Sequence, residues 1–278
     1  MSPYPNGTTK PGARTPGDRK LALEVAAVVR KTGARVLERF STTPDLGGRD
    51  EVVAGIHAND DASLAVLRPE LARLRPEAGW VEDELESGAL PGGEWWVTDP
   101  VEGNINHVHG MHDWGVTATL VRDNTPVLTA VHLPLTGETY TAVQGGGAFL
   151  DGVPLRHSPK KGIEGALVGT GQARPGESAE TFERIGASVT AMLNAAMVIR
   201  VSVPATLQLI QIAAGRMEAF WQYSQVRSGL LAGALLVAEA GGVVSDTRGR
   251  PWSLESEDFL ATTPALQAAV VEVLATIG

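Results

Sequence analysis

A chain of 278 residues has room for one large domain or for two joined sub-domains, each with its own core. Hydrophobic residues make up 43% and charged residues 20%, the balance of a globular protein. No apolar run approaches the roughly 18 residues that a membrane span needs, which excludes a helical membrane protein. The formal net charge of −9 opposes a phosphate backbone and excludes nucleic-acid binding from the expected functions, and the absence of cysteine excludes disulfides, thiolate nucleophiles and thiolate metal sites.

Residues 1–18 are rich in Pro, Gly, Thr and Ser and lack the apolar centre of a signal peptide, so a disordered tail on a cytoplasmic protein is expected. Leu21, Val25, Val28, Val29, Val36 and Phe40 recur at helical spacing and predict an amphipathic helix that stops before Thr42-Thr43-Pro44. A second helix is expected from about Asp60 to Leu74, followed by short strands at 79–81 and 95–98 that run into acidic clusters. Three β-rich runs between 115 and 143, separated by Asp123-Asn124-Thr125-Pro126 and Leu135-Thr136-Gly137, read as an antiparallel meander. Beyond Gly145-Gly146-Gly147, which reads as a turn, strands at 166–169, 197–201, 217–223, 243–245 and 259–261 are interleaved with helices at 181–193, 205–214, 230–240 and from 264 onward. The chain therefore divides into an α+β part at 19–160 and an α/β part at 161–278.

A hard divalent cation needs several oxygen ligands from separate segments, because one carboxylate displaces too little of its water. Three acidic segments are available: Asp60, the run Glu82-Asp83-Glu84, and Asp99 with Glu102. In Asp99-Pro100-Val101-Glu102-Gly103-Asn104, the proline and glycine predict a tight turn that aims both acids at one point.

Asp99-Pro100-Val101-Glu102-Gly103-Asn104-Ile105-Asn106 resembles the Asp-Pro-Ile/Leu-Asp-Gly-Thr-x-Asn signature of the inositol monophosphatase family. Gly145-Gly146-Gly147-Ala148-Phe149-Leu150-Asp151-Gly152 and Glu239-Ala240-Gly241-Gly242 resemble two further stretches of that family, in its order and at its spacings. The resemblance implies an α+β fold layered as an αβαβα sandwich, a homodimer, and a Mg²⁺-assisted attack of water on a phosphate monoester. It also implies parts for single residues: Asp60 helps to orient the water, Asp83 and Glu84 fall on a glutamate pair whose first member is a ligand, and Asp99 is shared between metals. Glu102 falls on an aspartate that holds the second metal.

This chain departs from the pattern at several of those positions. Gly229 stands where the family has a metal-binding aspartate, and Asn104 where a threonine positions the water. Asp83 is one methylene shorter and Glu102 one longer than the family residues, which matters because Mg²⁺ tolerates little deviation from octahedral geometry. His107 replaces a typical phenylalanine and puts a titratable imidazole next to the acids, as a candidate acid/base group or ligand. Trp221 and Gln222 lie on the strand that lines the substrate site in relatives. With Gly229 they would make it roomier and less ionic, and Arg200 is a candidate anion contact.

The expectation from these departures is a small-molecule enzyme repurposed to acid/base chemistry: cyclisation, isomerisation, dehydration or hydrolysis of an organic, specialised-metabolite type of substrate. Asp60, Asp83, Asp99, Glu102, Asn104 and His107 would be its catalytic set. It would need no cofactor, or one weakly bound Mg²⁺ on Asp83, Asp99 and Glu102. The alternatives are an active Mg²⁺-dependent phosphatase of inositol, sugar or nucleotide monophosphates, and a non-catalytic binding or scaffold homologue.

Overall fold

The computed structural model describes residues 16–45, 47–82, 88–173, 176–224 and 226–277. Helix α1 (Pro16–Leu37) turns Leu21, Val25, Val28, Val29 and Val36 to one side, where all are buried. Helix α2 (Arg49–Leu74) begins where the Glu51 carboxylate reaches back to accept the Gly48 N–H at 2.8 Å. It starts eleven residues earlier than the apolar periodicity indicates, because its first turns carry a glycine and few buried side chains, so their pattern is faint. Asp60 consequently sits inside a helix and does not open one. The expected tail also ends sooner, at the start of α1: Asp18 is a buried helical residue, 3.5 Å from Arg122.

Strands β1 (Gly79–Trp80), β2 (Glu94–Glu102), β3 (Gly115–Arg122), β4 (Thr125–Leu133), β5 (Glu138–Val143), β6 (Gly147–Leu150) and β7 (Val153–Pro154) form a seven-stranded sheet in sequence order, with the short helix α3 (Asn104–Val108) between β2 and β3. Only the β1/β2 pair is parallel, so the expected meander is present and extends at both ends. The β3–β4 hairpin turns on Asp123 and Asn124, both at positive φ (48° and 63°), the conformation that lets a two-residue loop follow the twist of the strands.

The second half supplies β8 (Leu167–Thr170), α4 (Ala179–Ala195), β9 (Val198–Val201), α5 (Ala205–Ala213), β10 (Ala219–Gln222), α6 (Arg227–Glu239), β11 (Val243–Ser245), β12 (Phe259–Thr262) and α7 (Gln267–Ala275). Its sheet has the order β11-β12-β10-β8-β9, with β10, β8 and β9 pairing in parallel and β12 antiparallel to both of its neighbours, β10 and β11.

Three apolar clusters glue five layers together. Val25, Leu67, Trp96 and Leu120 join α1 and α2 to the outer face of the first sheet. Val97, Val131 and Tyr140 on its inner face meet Leu209, Leu235 and Leu236 of α5 and α6, which in turn meet Phe220 and Phe259 of the second sheet. Met192, Val270 and Leu274 of α4 and α7 close the far side over Val168, Trp221 and Leu260. The order is thus αβαβα. Trp95 and Trp96 face opposite sides of β2, as the period-2 alternation of a strand requires.

The Gly145–Gly147 turn binds an anion, but an internal one: the Gly145 and Gly147 N–H groups donate to the two carboxylate oxygens of Glu239, at 2.7 and 2.8 Å. Two of the sequence landmarks therefore bind each other and fasten α6 to the first sheet.

The central layer tolerates no added volume at Gly233, where a Cβ atom would fall 2.4 Å from Leu209 Cβ, a carbon held next to the backbone of α5. Gly233→Ala should therefore lose about 1–3 kcal/mol of stability in urea unfolding, the overpacking cost exceeding the roughly 1 kcal/mol that alanine adds within a helix.

Candidate active site

The acidic signature is a β-bulge and not the expected tight turn. Asp99 pairs with Thr117 and Glu102 with Gly115, so three steps along β2 answer two along β3. Pro100 explains the slip, since it has no N–H to offer the ladder. The extra residue reverses the alternation. Val97 packs toward α5 and α6, whereas Val101, of the same parity, packs with Val36 and Trp114 on the opposite side. Asp99, in step with Val97, and Glu102, opposite to Val101, are thereby brought to the same face. The Asp99 N–H donates to Thr117 Oγ1 at 3.0 Å and the Pro100 carbonyl accepts from Ser63 of α2 at 2.6 Å, fixing the bulge from both sides.

Glu102 is 3% exposed and is met by the first turns of α5 and α6. Thr206 Oγ1 lies 2.6 Å from Glu102 Oε2 and 2.8 Å from the Gly229 carbonyl. The Thr206 hydroxyl has one hydrogen to share between the Glu102 carboxyl and the Gly229 carbonyl, both of which accept. Burial pushes the Glu102 acid up to about 7, against the lowering effect of the hydrogen bond donated by Thr206. A Cβ on Gly229 would lie 3.9 Å from Glu102 Oε1, in ordinary contact, so this glycine sits directly beside the carboxyl.

Asn104 opens α3 and crosses to α2, its Nδ2 donating to Asp60 Oδ1 at 2.7 Å and to the Ile56 carbonyl at 3.0 Å. Burial pushes the half-buried Asp60 up to about 6, while the Asn104 hydrogen bond and the nearby His57 pull it down. Asn106 holds the same corner together by donating to the carbonyls of Asp113 (2.8 Å) and Val203 (2.9 Å), the latter just before α5.

His107 is not directed at the acids. Its ring is 3% exposed, edge-on to Trp114 and Phe40 with centroids 4.6 and 5.4 Å away. Nδ1 lies 2.9 Å from Asn59 Nδ2, which can only donate, and Nε2 lies 3.3 Å from the Val36 carbonyl, which can only accept. The ring is therefore the neutral Nε2–H tautomer. Burial first, and the Arg39 charge second, hold it below the ordinary histidine value. With both nitrogens engaged it is placed as a packing residue, which corrects its expected part in the chemistry.

Trp221 is likewise displaced from the expected site. It is fully buried against α4 and α7 with its indole N–H on Ser188 Oγ at 2.9 Å, because a strand that turns Gln222 one way must turn Trp221 the other. Gln222 is buried at the end of β10, where its amide donates to the Ser224 carbonyl. Arg200 is exposed on the edge strand β9, with no bond to the acids among the described residues. Asp83 and Glu84 lie outside the described residues. Their neighbour Glu82 is held by the Arg68 guanidinium on the surface.

Among the described residues no three His, Asp or Glu side chains gather closely enough to hold a metal ion by themselves, so the expected ligand set of Asp83, Asp99 and Glu102 is described only in its Asp99–Glu102 part. Two residues that hold this site together, Thr206 and Asn59, are missed by the sequence reading. Thr206 follows Pro204 at the start of a helix, and Asn59 directly precedes Asp60, which are the only signals either offers.

Residues 18–278 match the model of the inositol monophosphatase family. The chain belongs to that family. It is 31% identical over 216 residues to an inositol-1-monophosphatase of Rhizobium meliloti, covering 77% of this chain and 80% of the relative. It is 32% identical over 247 residues to the Nus factor SuhB of Pseudomonas aeruginosa, covering 87% and 89%. Among solved structures, the inositol monophosphatase of Anabaena (Nostoc) sp. PCC 7120 superposes with a TM-score of 0.79 at 21% identity, over 94% of this chain and 98% of that one. The fold of the inositol monophosphatase family is thereby established for this chain, and no helix among its described residues is long and apolar enough to cross a membrane.

The two raised acids give the cation-free protein a definite pH dependence. Unfolded, Glu102 and Asp60 ionise near 4.5 and 3.8; folded, they hold their protons to about 7 and about 6. Between these limits the native state holds more of these two protons than the unfolded chain does, so the contribution of the pair to stability is greatest below about pH 4, falls as pH rises, and levels off above about pH 7. Urea unfolding in EDTA should show that loss, on the order of 3 kcal/mol from Glu102, and Glu102→Gln should flatten the upper part of the curve.

Proposed function

We propose that this chain hydrolyses phosphate monoesters of small hydroxylated molecules, inositol and sugar phosphates being the first class to test. The observation that carries this reading is the meeting of the bulged acids with the first turns of α5 and α6. Neither helix has a side-chain cap: Pro204 and Val226 occupy the N-cap positions. A helix start without a side-chain cap carries the positive end of the helix dipole, which favours an anion, and a phosphoryl group placed there would face Asp99 and Glu102.

Membership of the family supports phosphate-ester hydrolysis over repurposed chemistry. The curated relatives above include one named for inositol-1-phosphate hydrolysis, and none of those compared points to cyclisation, isomerisation or dehydration. The departures that suggested repurposing bear on the number of cations. Glu102 is a buried carboxyl whose described partner is a hydroxyl and not a cationic side chain, a donor that suits a hard cation. Asp99 and Glu102, with Asp83, would hold one Mg²⁺, while Gly229 offers no side-chain donor for a second. Bound there, the ion would supply charge neutralisation at the phosphoryl oxygens and make a bound water more acidic.

The remaining chemistry falls to the chain. Water forms the new bond to phosphorus and passes a proton to Asp60, whose acidity near 6 matches it to accept a proton in neutral solution. The bond between phosphorus and the ester oxygen breaks, and the departing alkoxide takes up a proton from solvent. Phosphate release from a panel of inositol, sugar and nucleotide monophosphates should require Mg²⁺ and fall at least about a hundredfold in Asp99→Asn. Release that persists in the variant or in EDTA refutes the reading.

A further inference from the structure

Beyond the acids, the site contains a chain of amides whose direction is fixed at both ends. Arg39 Nε, a donor only, lies 2.8 Å from Asn59 Oδ1. The Ile56 carbonyl, an acceptor only, lies 3.0 Å from Asn104 Nδ2. Between them Asn59 Nδ2 meets Asn104 Oδ1 at 2.9 Å and His107 Nδ1 at 2.9 Å. Each carboxamide therefore has one orientation open to it. Asn59 uses both of its N–H groups and its oxygen. Asn104 spends both of its N–H groups on Ile56 and Asp60. Asn59 is 3% exposed and Arg39 is at the surface, so the lock begins at the end of α1 and finishes at Asp60.

This arrangement decides what Asn104 can do. With both donors committed it has none left for a water molecule. Its one effect on the reacting centre is to hold Asp60 Oδ1, and Asp60 Oδ2 has no hydrogen-bond partner among the described residues.

We propose that Asn59 is a positioning residue: by forcing the Asn104 carboxamide into one orientation it ties down Asp60 Oδ1 and leaves Oδ2 as the oxygen that faces the attacking water. The inference rests on the phosphatase reading above for the identity of that water, but the lock itself is a property of the folded chain.

Asn59→Asp tests it with little change of volume. Aspartate accepts from Arg39 as asparagine does and gives His107 a reason to take a second proton, so folding is supported. It has no N–H for Asn104, whose amide must then turn its Nδ2 toward residue 59 and its oxygen toward Asp60. The expected result is a thermal midpoint close to wild type, kcat lowered at least about tenfold and KM changed by less than about twofold. Wild-type kcat in Asn59→Asp overturns the proposal.

If the variant does not fold, Arg39→Met at the exposed end of the lock carries the test, with kcat lowered about threefold at constant KM; an unchanged kcat overturns it. If the wild-type protein releases no phosphate from any ester, the phosphatase reading fails separately, and the lock is then read by NMR. In wild type the Asn104 side-chain amide proton should shift with the ionisation of Asp60, and in Asn59→Asp that pH-dependent shift should vanish. A shift that survives the substitution overturns the lock.

Discussion

Proline cannot donate to a β-ladder, and at Pro100 that deficit pushes one residue of β2 out of register. Without the slip Glu102 would share the face of Thr98, toward α2, while Asp99 faced α5 and α6. With it, both acids belong to the central side of the sheet, where α5 and α6 begin. The arrangement of the site depends on this. The bulge puts Gly103 into the left-handed region (φ 81°), the chain enters α3, and Asn104 and Asn106 reach α2 and the start of α5 respectively. A side chain on Gly103 would meet the Asp113 carbonyl at 2.6 Å, so the corner is closed by backbone as well as by hydrogen bonds.

The central layer works as a clamp across this corner. Helix α6 is attached to the first sheet through Glu239 and the Gly145–Gly147 turn at one end, and meets Glu102 through the Thr206 bridge at the other. Its middle is packed so closely on α5 that Gly233 has no room for a methyl group. The two helix starts are thus held in place without side-chain caps of their own. A helix start without a side-chain cap keeps the positive end of its dipole unneutralised by a capping side chain, which favours an anion beside it.

Much of this architecture was legible in the sequence, for physical reasons that also explain the failures. Strong periodicity located α1, and the alternation of apolar runs with Gly, Asn and Pro located the meander. Faint periodicity hid the first turns of α2. The conjunction of Asp99, Pro100 and Glu102 announced an acidic corner, but not that the corner is a bulge, since a slip in register depends on the partner strand. Trp221 was misplaced because adjacent residues on a strand were assigned to one side. His107 looked reactive because it is titratable and close to acids in sequence; in space a tryptophan, a phenylalanine and two hydrogen bonds enclose it. Thr206 acts on a residue 104 positions away, a relation that no local pattern records.

The environments of Glu102 and Asp60 divide the work of the site between them. Both acids are raised, but Glu102 is sealed between two helix starts with a hydroxyl for company, whereas Asp60 is half-buried with one oxygen tied to Asn104. A sealed carboxyl exchanges protons with solvent poorly and gains most from a bound cation, which replaces the proton and relieves the cost of its charge. A half-buried carboxyl with one free oxygen exchanges protons readily. On the proposed reading, therefore, charge neutralisation belongs to Glu102 and proton transfer to Asp60. The amide lock bears on this division because it engages Asp60 Oδ1 through an amide that is itself held from the end of α1, and so reserves Oδ2 for the proton.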